Sequence, residues 1–410
     1  MRYPKDHKYP IFLIMIALEI ILSTSCGFRA TQKILAIFNK YYHFSKKSPN
    51  AVTILNWSKK FGCYQLQKPK EKADDWVVIL DESIEFGHDK LLNVYGVRQS
   101  KIDPNRALKY KDLVPFLIKA QPSWTGDLIK NELEKIQKIS GNFLFAVADG
   151  GNAICRCLRL SQITHIYDIT HKIAWILKQI YKDHPDFIAY TKEMSKMRTK
   201  LVLSDVSHIL PPNQRTDSRF MNLDILSDWG TKVLTFLQEK KKQTKEYPKL
   251  KWVKKYSELI FELTQINTIV AEIKHVLKTN GLSLLTKEKV LKIVSKFTLD
   301  NSRIQYFKTE INTYLNSYQL FTNEEQSILC TSDIIESSFG TYKNCINNNP
   351  MIGVTNLSLV LAAITGEIEP NEVKTALEKV SMADLKKWSD ENIGETNMSK
   401  RQKIFKKRVK

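Results

Sequence analysis

The six cysteines, at positions 26, 63, 155, 157, 330 and 345, form no CxxC pair and no regular framework. That absence argues against a paired-cysteine zinc module and a disulfide scaffold, and it fits reduced thiols in a cytoplasm. Cys155 and Cys157, with His165 and His171 after them, match no usual structural zinc spacing. A membrane-spanning apolar run is missing as well. The run 11–22 follows a basic start and imitates a signal or lipoprotein leader ending near Cys26. Glu19 interrupts it, however, and it falls short of the roughly 20 apolar residues that a bilayer span needs. The stretch 27–40 continues as helix rather than as a small-residue cleavage region. A buried helix of a small N-terminal domain, with no membrane partner, is the better account.

Acidic residues are outnumbered, 43 Asp and Glu against 63 Lys and Arg, leaving a formal charge of +20. Such an excess favours a polyanionic partner, nucleic acid first, with an anionic membrane surface or plain solubility as the blander accounts. At 410 residues, 43% of them hydrophobic, the chain can bury a substantial core and has the length for two or three units, so it is no disordered tail.

Residues 1–70 read as a helical, helix-turn-helix-like DNA-binding region. Apolar stretches at 11–22 and 30–41 are followed by the break Ser48-Pro49-Asn50 and a further helix at 51–61. Its Arg29, Lys33, Lys40, Lys46, Lys47, Lys59 and Lys60 either meet phosphates or are simply solvated. After a charged linker at 68–75, the run 76–80 is short, apolar and bounded by charges, the signature of a buried strand that Asp81 ends. Further strands are expected at 91–97, 114–119, 143–147 and 165–167. Helices are expected at 125–138, which Thr125 caps, at 153–160 and at 171–182. Residues 71–184 therefore run three strands, helix, strand, helix, strand, helix.

From about 184 to 321 the strand signals nearly vanish, and residues 185–328 read as an α-helical insertion with long periodic stretches at 222–242, 250–279 and 286–295. Residues 329–350 supply a new helix with Ser332 as its expected N-cap. Residues 351–410 hold C-terminal helices and a basic tail. The last twelve residues carry seven Lys or Arg and no acid, and they are expected to be disordered.

Two-metal phosphoryl transfer on DNA needs carboxylates from separate elements converging on one spot. Mg2+ prefers oxygen ligands, and two ions about 4 Å apart clamp the attacking and leaving oxygens. Asp81 at the end of the first strand, Asp149 just after the fourth and Glu336 on a helix after the fifth occupy the positions such a site needs. Singly, each has an ordinary explanation: a strand-ending residue, a turn in Asp149-Gly150-Gly151, and a first-turn charge favoured by the helix dipole. In this order, in a basic chain, they support one another. A fourth element, Asp168-Ile169-Thr170-His171, is alternatively a helix cap with a satisfied histidine. Arg215, Arg219 and Trp229 either grip phosphate and stack on a displaced base or are packing and surface charge. Lys343 either contacts phosphate or is solvated.

On the strings Val78-Ile79-Leu80-Asp81-Glu82-Ser83, Ala148-Asp149-Gly150-Gly151, Asp168-Ile169-Thr170-His171 and Ser332-Asp333-Ile334-Ile335-Glu336-Ser337-Ser338-Phe339-Gly340, the chain resembles DDE transposases with a helical insertion. These include the Mutator-like and hAT-like groups and related bacterial insertion-sequence enzymes, which carry a Cys-or-Asp, two residues, then His motif after the second catalytic Asp. The resemblance spans about residues 76–343, with a looser match of 26–57 to the helix-turn-helix region that precedes the core.

It implies an α/β fold: a ribonuclease H-like mixed five-stranded sheet with a large all-α insertion and an N-terminal helix-turn-helix-like region. It implies Asp81, Asp149 and Glu336 as catalytic metal ligands for two Mg2+ ions, with Mn2+ as a substitute, and His171 beside the scissile phosphate or flanking DNA. It further implies double-stranded DNA partners (transposon terminal repeats and target), a homo-oligomer on DNA and a cytoplasmic, nucleoid-associated location. The activity implied is endonuclease and strand transfer. Two departures are that the chain begins almost at the first recognition helix, as though an N-terminal segment were missing, and that no zinc-finger cysteines accompany it. A ribonuclease H-like nuclease, or a domesticated transposase that only binds DNA, stays open as the alternative. A secreted or membrane-anchored basic protein is the third class.

Overall fold

The computed structural model describes residues 3–24, 26–83, 89–214, 219–239, 244–318, 327–346 and 353–406. Two compact units emerge. The first comprises Met1–Asp103, Leu108–Ile166 and Ser332–Lys410, and the second comprises Pro104–Ala107 and Tyr167–Thr331.

The first unit opens with helices α1 (Ile11–Ser23), α2 (Phe28–Tyr42) and α3 (Ala51–Gln67). The leader-like run is a core helix. Leu13, Ile14, Ala17, Leu18 and Ile21 of α1 are buried with Ile54, Trp57 and Phe61 of α3 and with Ala363, Val373 and Leu377 from late in the chain. No helix among the described residues is long and apolar enough to cross a membrane. Asn50 starts α3 by accepting a hydrogen bond from the Thr53 N–H at 2.8 Å, which satisfies one of the orphan donors of the first turn. Thr125 does the same for α4 (Gly126–Ser140), accepting from the Leu128 N–H at 3.3 Å.

Strands β1 (Trp76–Ser83), β2 (Lys90–Arg98), β3 (Val114–Gln121), β4 (Phe143–Ala148) and β5 (His165–Tyr167) form one mixed sheet in the order β3-β2-β1-β4-β5. β2 is antiparallel to both β1 and β3, and β4 is parallel to β1. This is the ribonuclease H-like arrangement the sequence predicts. One face is dry: Trp76, Val78 and Leu80 of β1, Leu92 and Val94 of β2, and Ala146 and Ala148 of β4 pack with Ile129 and Leu133 of α4. Ile154 and Leu158 of α5 (Asn152–Leu160) complete that layer. β1 does not stop at Asp81 as the sequence suggests. Glu82 and Ser83 continue the ladder opposite Leu92 and Leu91, so pairing overrides their polarity.

The second unit is built of helices α6 (Ile169–Tyr181), α7 (Pro185–Leu201), α8 (Asp224–Gln238), α9 (Tyr247–Leu250), α10 (Ser257–Asn280), α11 (Leu284–Val294) and α12 (Ser302–Ser317). An antiparallel bridge between Leu282 and Ile328 interrupts the all-α pattern. One of its deeply buried acids, Glu262, is well satisfied. Glu262 accepts from Arg303 Nε and Nη2, each at 2.7 Å, from Asn301 Nδ2 at 2.7 Å and from the Tyr181 hydroxyl at 2.5 Å. Burial pushes this carboxyl up, but the hydrogen bonds and the Arg303 charge outweigh burial and hold it below its ordinary value.

The chain then returns to the first unit with α13 (Asp333–Cys345), α14 (Val360–Ala363), α15 (Pro370–Lys379), α16 (Met382–Asn392) and α17 (Asn397–Lys406). Ser332 sits at the N-cap position of α13, but its side chain makes no capping bond. Helix α17 carries residues 399–406, where the sequence suggests disorder.

α3 packs close to the segment before α14, and a Cβ built on Gly62 would lie 2.0 Å from the Leu359 carbonyl oxygen. Gly62→Ala is expected to lower stability by about 1–3 kcal/mol in denaturant titration, since a backbone atom has to move. Arg303→Met is expected to cost about 3–5 kcal/mol at neutral pH by leaving Glu262 buried and unpaired. The folded pKa of Glu262 is depressed, so its contribution is present above the unfolded value of 4.5 and is lost as pH falls through the folded value. The gap between wild type and Arg303→Met should therefore narrow in acid, and a gap that widens would contradict this account.

Candidate active site

In the parallel ladder of β1 and β4, Ile79 pairs with Val147. Asp81 and Asp149 each stand two residues further on, so the backbone sets them level at the same end of neighbouring strands, which run about 4.8 Å apart. Side chains alternate along a strand. Because Val78, Leu80, Ala146 and Ala148 fill the dry layer under α4 and α5, Asp81 and Asp149 continue the series on the opposite face. Both are half-buried.

That opposite face is where α13 lies. Asp81 is paired directly with Asn93 on β2, and directly opposed residues present their side chains on one face. Asn93 is fully buried, and its Nδ2 donates to Ser338 Oγ on α13 at 3.5 Å. Ser338 in turn donates to the Ile335 carbonyl at 2.6 Å. Beside them the Tyr95 hydroxyl donates to the Leu361 carbonyl at 2.8 Å, and burial pushes that phenol well above its ordinary pKa. α13 packs against β1, and Glu336, half-buried in its first turn, precedes Ser338 by two residues. The Tyr110 hydroxyl donates to the neighbouring Ser337 Oγ at 2.7 Å.

Among the described residues, no three His, Cys, Asp or Glu side chains are gathered closely enough to hold a metal ion. Asp81 and Asp149 each follow the paired Ile79 and Val147 by two residues, and Glu336 does not join them in a three-carboxylate cluster among the described residues. Asn93, opposite Asp81 in the ladder, carries an amide oxygen Oδ1 that is buried with no hydrogen-bond partner. An all-oxygen set built on two carboxylates suits Mg2+, which keeps several of its own waters.

Behind Asp149 the chemistry is quiet. Its Oδ1 accepts from the Gly151 N–H at 2.9 Å, which fixes the turn into α5. His165 Nε2 lies 3.2 Å from the Ala148 carbonyl, and Cys155 Sγ is 4.0 Å from His165 Nδ1. Burial, and then the Asp149 charge, push the Cys155 thiol up, while burial pulls His165 down. The pair is therefore a neutral thiol beside a neutral imidazole, not an activated nucleophile.

His171 lies in the second unit, whereas Asp81, Asp149 and Glu336 lie in the first. The buried Asp168 caps α6 by accepting from the His171 N–H at 2.8 Å, the ordinary role open to it from sequence. Trp229 packs on Trp252 with ring centroids 6.2 Å apart, which favours its packing reading. Lys343 is in the last turn of α13. Arg215 and the Arg219 side chain lie outside the described residues.

The N-terminal helices divide their labour. α3 is buried through Trp57 and Phe61, whereas α2 buries only Thr31 and Leu35. The uncovered face of α2 carries Arg29, Lys33 and Lys40 beside the exposed Ile37, Phe38, Tyr41 and Tyr42. Between Glu19 and Glu71 the chain contains no acidic residue at all.

No family model matches the chain, and no curated protein does. Among solved structures it is similar to the Drosophila P element transposase strand transfer complex, with a TM-score of 0.43 and 11% identity over 93% of this chain and 94% of that one. A likeness at this level carries no chemistry across.

Asn93 and Ser338 form a buried polar contact that motif reading overlooks. The available signal was an Asn inside the otherwise apolar stretch Leu91-Leu92-Asn93-Val94. Ser338→Ala is expected to cost about 1–3 kcal/mol in thermal or denaturant unfolding, because it strips the buried Asn93 amide of its acceptor. An unchanged midpoint would mean that the 3.5 Å contact does not hold α13 to the sheet.

Proposed function

We propose that the chain is a DNA transposase of the DDE type that cleaves at transposon ends and transfers the freed strands into target DNA. The observation that supports this reading is the parallel pairing of Ile79 with Val147, from which Asp81 on β1 and Asp149 just past the end of β4 each follow by two residues, beside a strand against which the Glu336 helix packs. Two carboxylates at one strand end in a chain of charge +20 suit the handling of a phosphodiester backbone.

Asp81 and Asp149 would hold Mg2+, and Glu336 is the remaining carboxylate assigned to the set. The metal, when bound, supplies the charge that activates water or a 3'-hydroxyl and stabilises the leaving oxygen. The protein's own part is to bind and orient. The Asn93–Ser338 contact fixes the helix that bears Glu336, and the basic outer face of α2 meets DNA phosphates through Arg29, Lys33 and Lys40. His171 is assigned to the scissile phosphate or the flanking DNA. Two transposon ends call for at least two protomers assembled on DNA.

The test is cleavage and strand transfer by the purified chain, using DNA from the borders of its own coding element, with Mg2+ or Mn2+. Asp81→Asn, Asp149→Asn and Glu336→Gln should each lower both steps by roughly 10²–10³-fold, the scale for losing one electrostatic stabiliser of the transition state, while circular dichroism stays unchanged. Turnover that survives Asp81→Asn would sink the assignment. Nicking without joining would move the reading to a nuclease.

A further inference from the structure

We infer that Asn93 belongs to the divalent-cation site at the end of β1, as a positioning residue whose Oδ1 accepts a hydrogen bond from water held on the cation by Asp81. The inference rests on the reading of Asp81 and Asp149 as metal-holding carboxylates. Its starting point is an imbalance of donors and acceptors. Asn93 is completely buried, yet its Oδ1 has no partner. A buried amide oxygen left unmatched is uncommon and calls for a missing donor.

The orientation of the amide follows from its neighbours. Ser338 Oγ spends its proton on the Ile335 carbonyl at 2.6 Å, so towards Asn93 it can only accept. Nδ2 must therefore face Ser338 and Oδ1 must be the branch left over. The ladder sets Asn93 directly opposite Asp81, and Cβ atoms so paired lie about 4.5–5.5 Å apart on one face. An amide oxygen and an ionised carboxylate are both acceptors and cannot bond each other. A group that bridged two such oxygens would have to supply a donor or a cation. Water on a hard divalent ion is both at once, and ligating carboxylates are themselves held by such outer partners.

A purely structural role for Asn93 predicts something different. The amide would tie β2 to α13 through Nδ2 alone, and its oxygen would have no bearing on metal affinity.

The experiment is Mn2+ titration of the full chain by calorimetry, paired with metal-free thermal unfolding, for wild type, Asp81→Asn, Asn93→Leu and Asn93→Asp. Wild type should bind Mn2+ and Asp81→Asn should abolish binding. Asn93→Leu should weaken it roughly 10–100-fold, the scale for losing an outer-sphere partner, and Asn93→Asp, which keeps the acceptor oxygen, should hold affinity at or above wild type. The metal-free melting temperature should not follow the same order. Should Asn93→Leu fail to fold, Asn93→Ala, which withdraws the acceptor, carries the same comparison. Wild-type affinity in Asn93→Leu or Asn93→Ala, with binding lost in Asp81→Asn, overturns the Asn93 inference and leaves the metal reading standing. No Mn2+ binding by wild type, or binding indifferent to Asp81→Asn, overturns the metal reading and this inference with it.

Discussion

Everything at the candidate site follows from period-two alternation in a sheet whose one face is committed to a dry core. Val78, Leu80, Ala146 and Ala148 are buried against α4 and α5, and a slip of one residue in either strand would expose that set to the opposite face. The apolar layer thus specifies the register strongly. The register in turn fixes where Asp81 and the turn bearing Asp149 begin, because each acid follows the paired Ile79 and Val147 by two residues. The charged pair needs no interaction of its own to be assembled, since hydrophobic burial on the far side of the sheet positions it.

The second constraint is polar and crosses the sequence. Asn93 and Ser338 are 245 residues apart, yet their contact joins the strand beside Asp81 to the helix that bears Glu336. A hydrogen bond of this kind contributes little net stability, but leaving its donor unmatched in a buried setting is costly. It therefore acts as a selector of where α13 docks more than as a source of stability. The same economy is visible in the second unit, where Glu262 is surrounded by donors from Arg303, Asn301 and Tyr181. Asn93 Oδ1 is one of several buried polar atoms without a hydrogen-bond partner, and it differs from the rest in standing directly opposite Asp81 in the ladder.

Much of the fold was legible because its strands are short apolar runs bounded by charges or turns. β1 to β5 were each expected within about two residues of their observed ends, apart from the polar extension of β1 through Glu82 and Ser83. The Thr125 cap was readable from local chemistry alone. Readings that depended on distant partners failed. Local composition does not show that Lys251–Tyr256 tightens into a 3-10 turn inside an expected continuous helix, or that Ser332 leaves its capping role unused. Of the proposed site, Asp81 and Asp149 were singled out from order along the chain, and strand pairing puts each two residues beyond the paired Ile79 and Val147. Asn93 was invisible because one polar residue in an apolar strand does not announce a partner beyond residue 330. His171 was selected from a motif, and its motif partner Asp168 turns out to serve the helix end.

The central claim is that Asp81 and Asp149 share a divalent cation. The most direct measurement is anomalous diffraction from crystals soaked in Mn2+, collected at the manganese edge. The account predicts a peak between the Asp81 and Asp149 carboxylates that disappears in crystals of Asp149→Asn. Manganese bound only elsewhere, or a peak unaffected by that substitution, would contradict it.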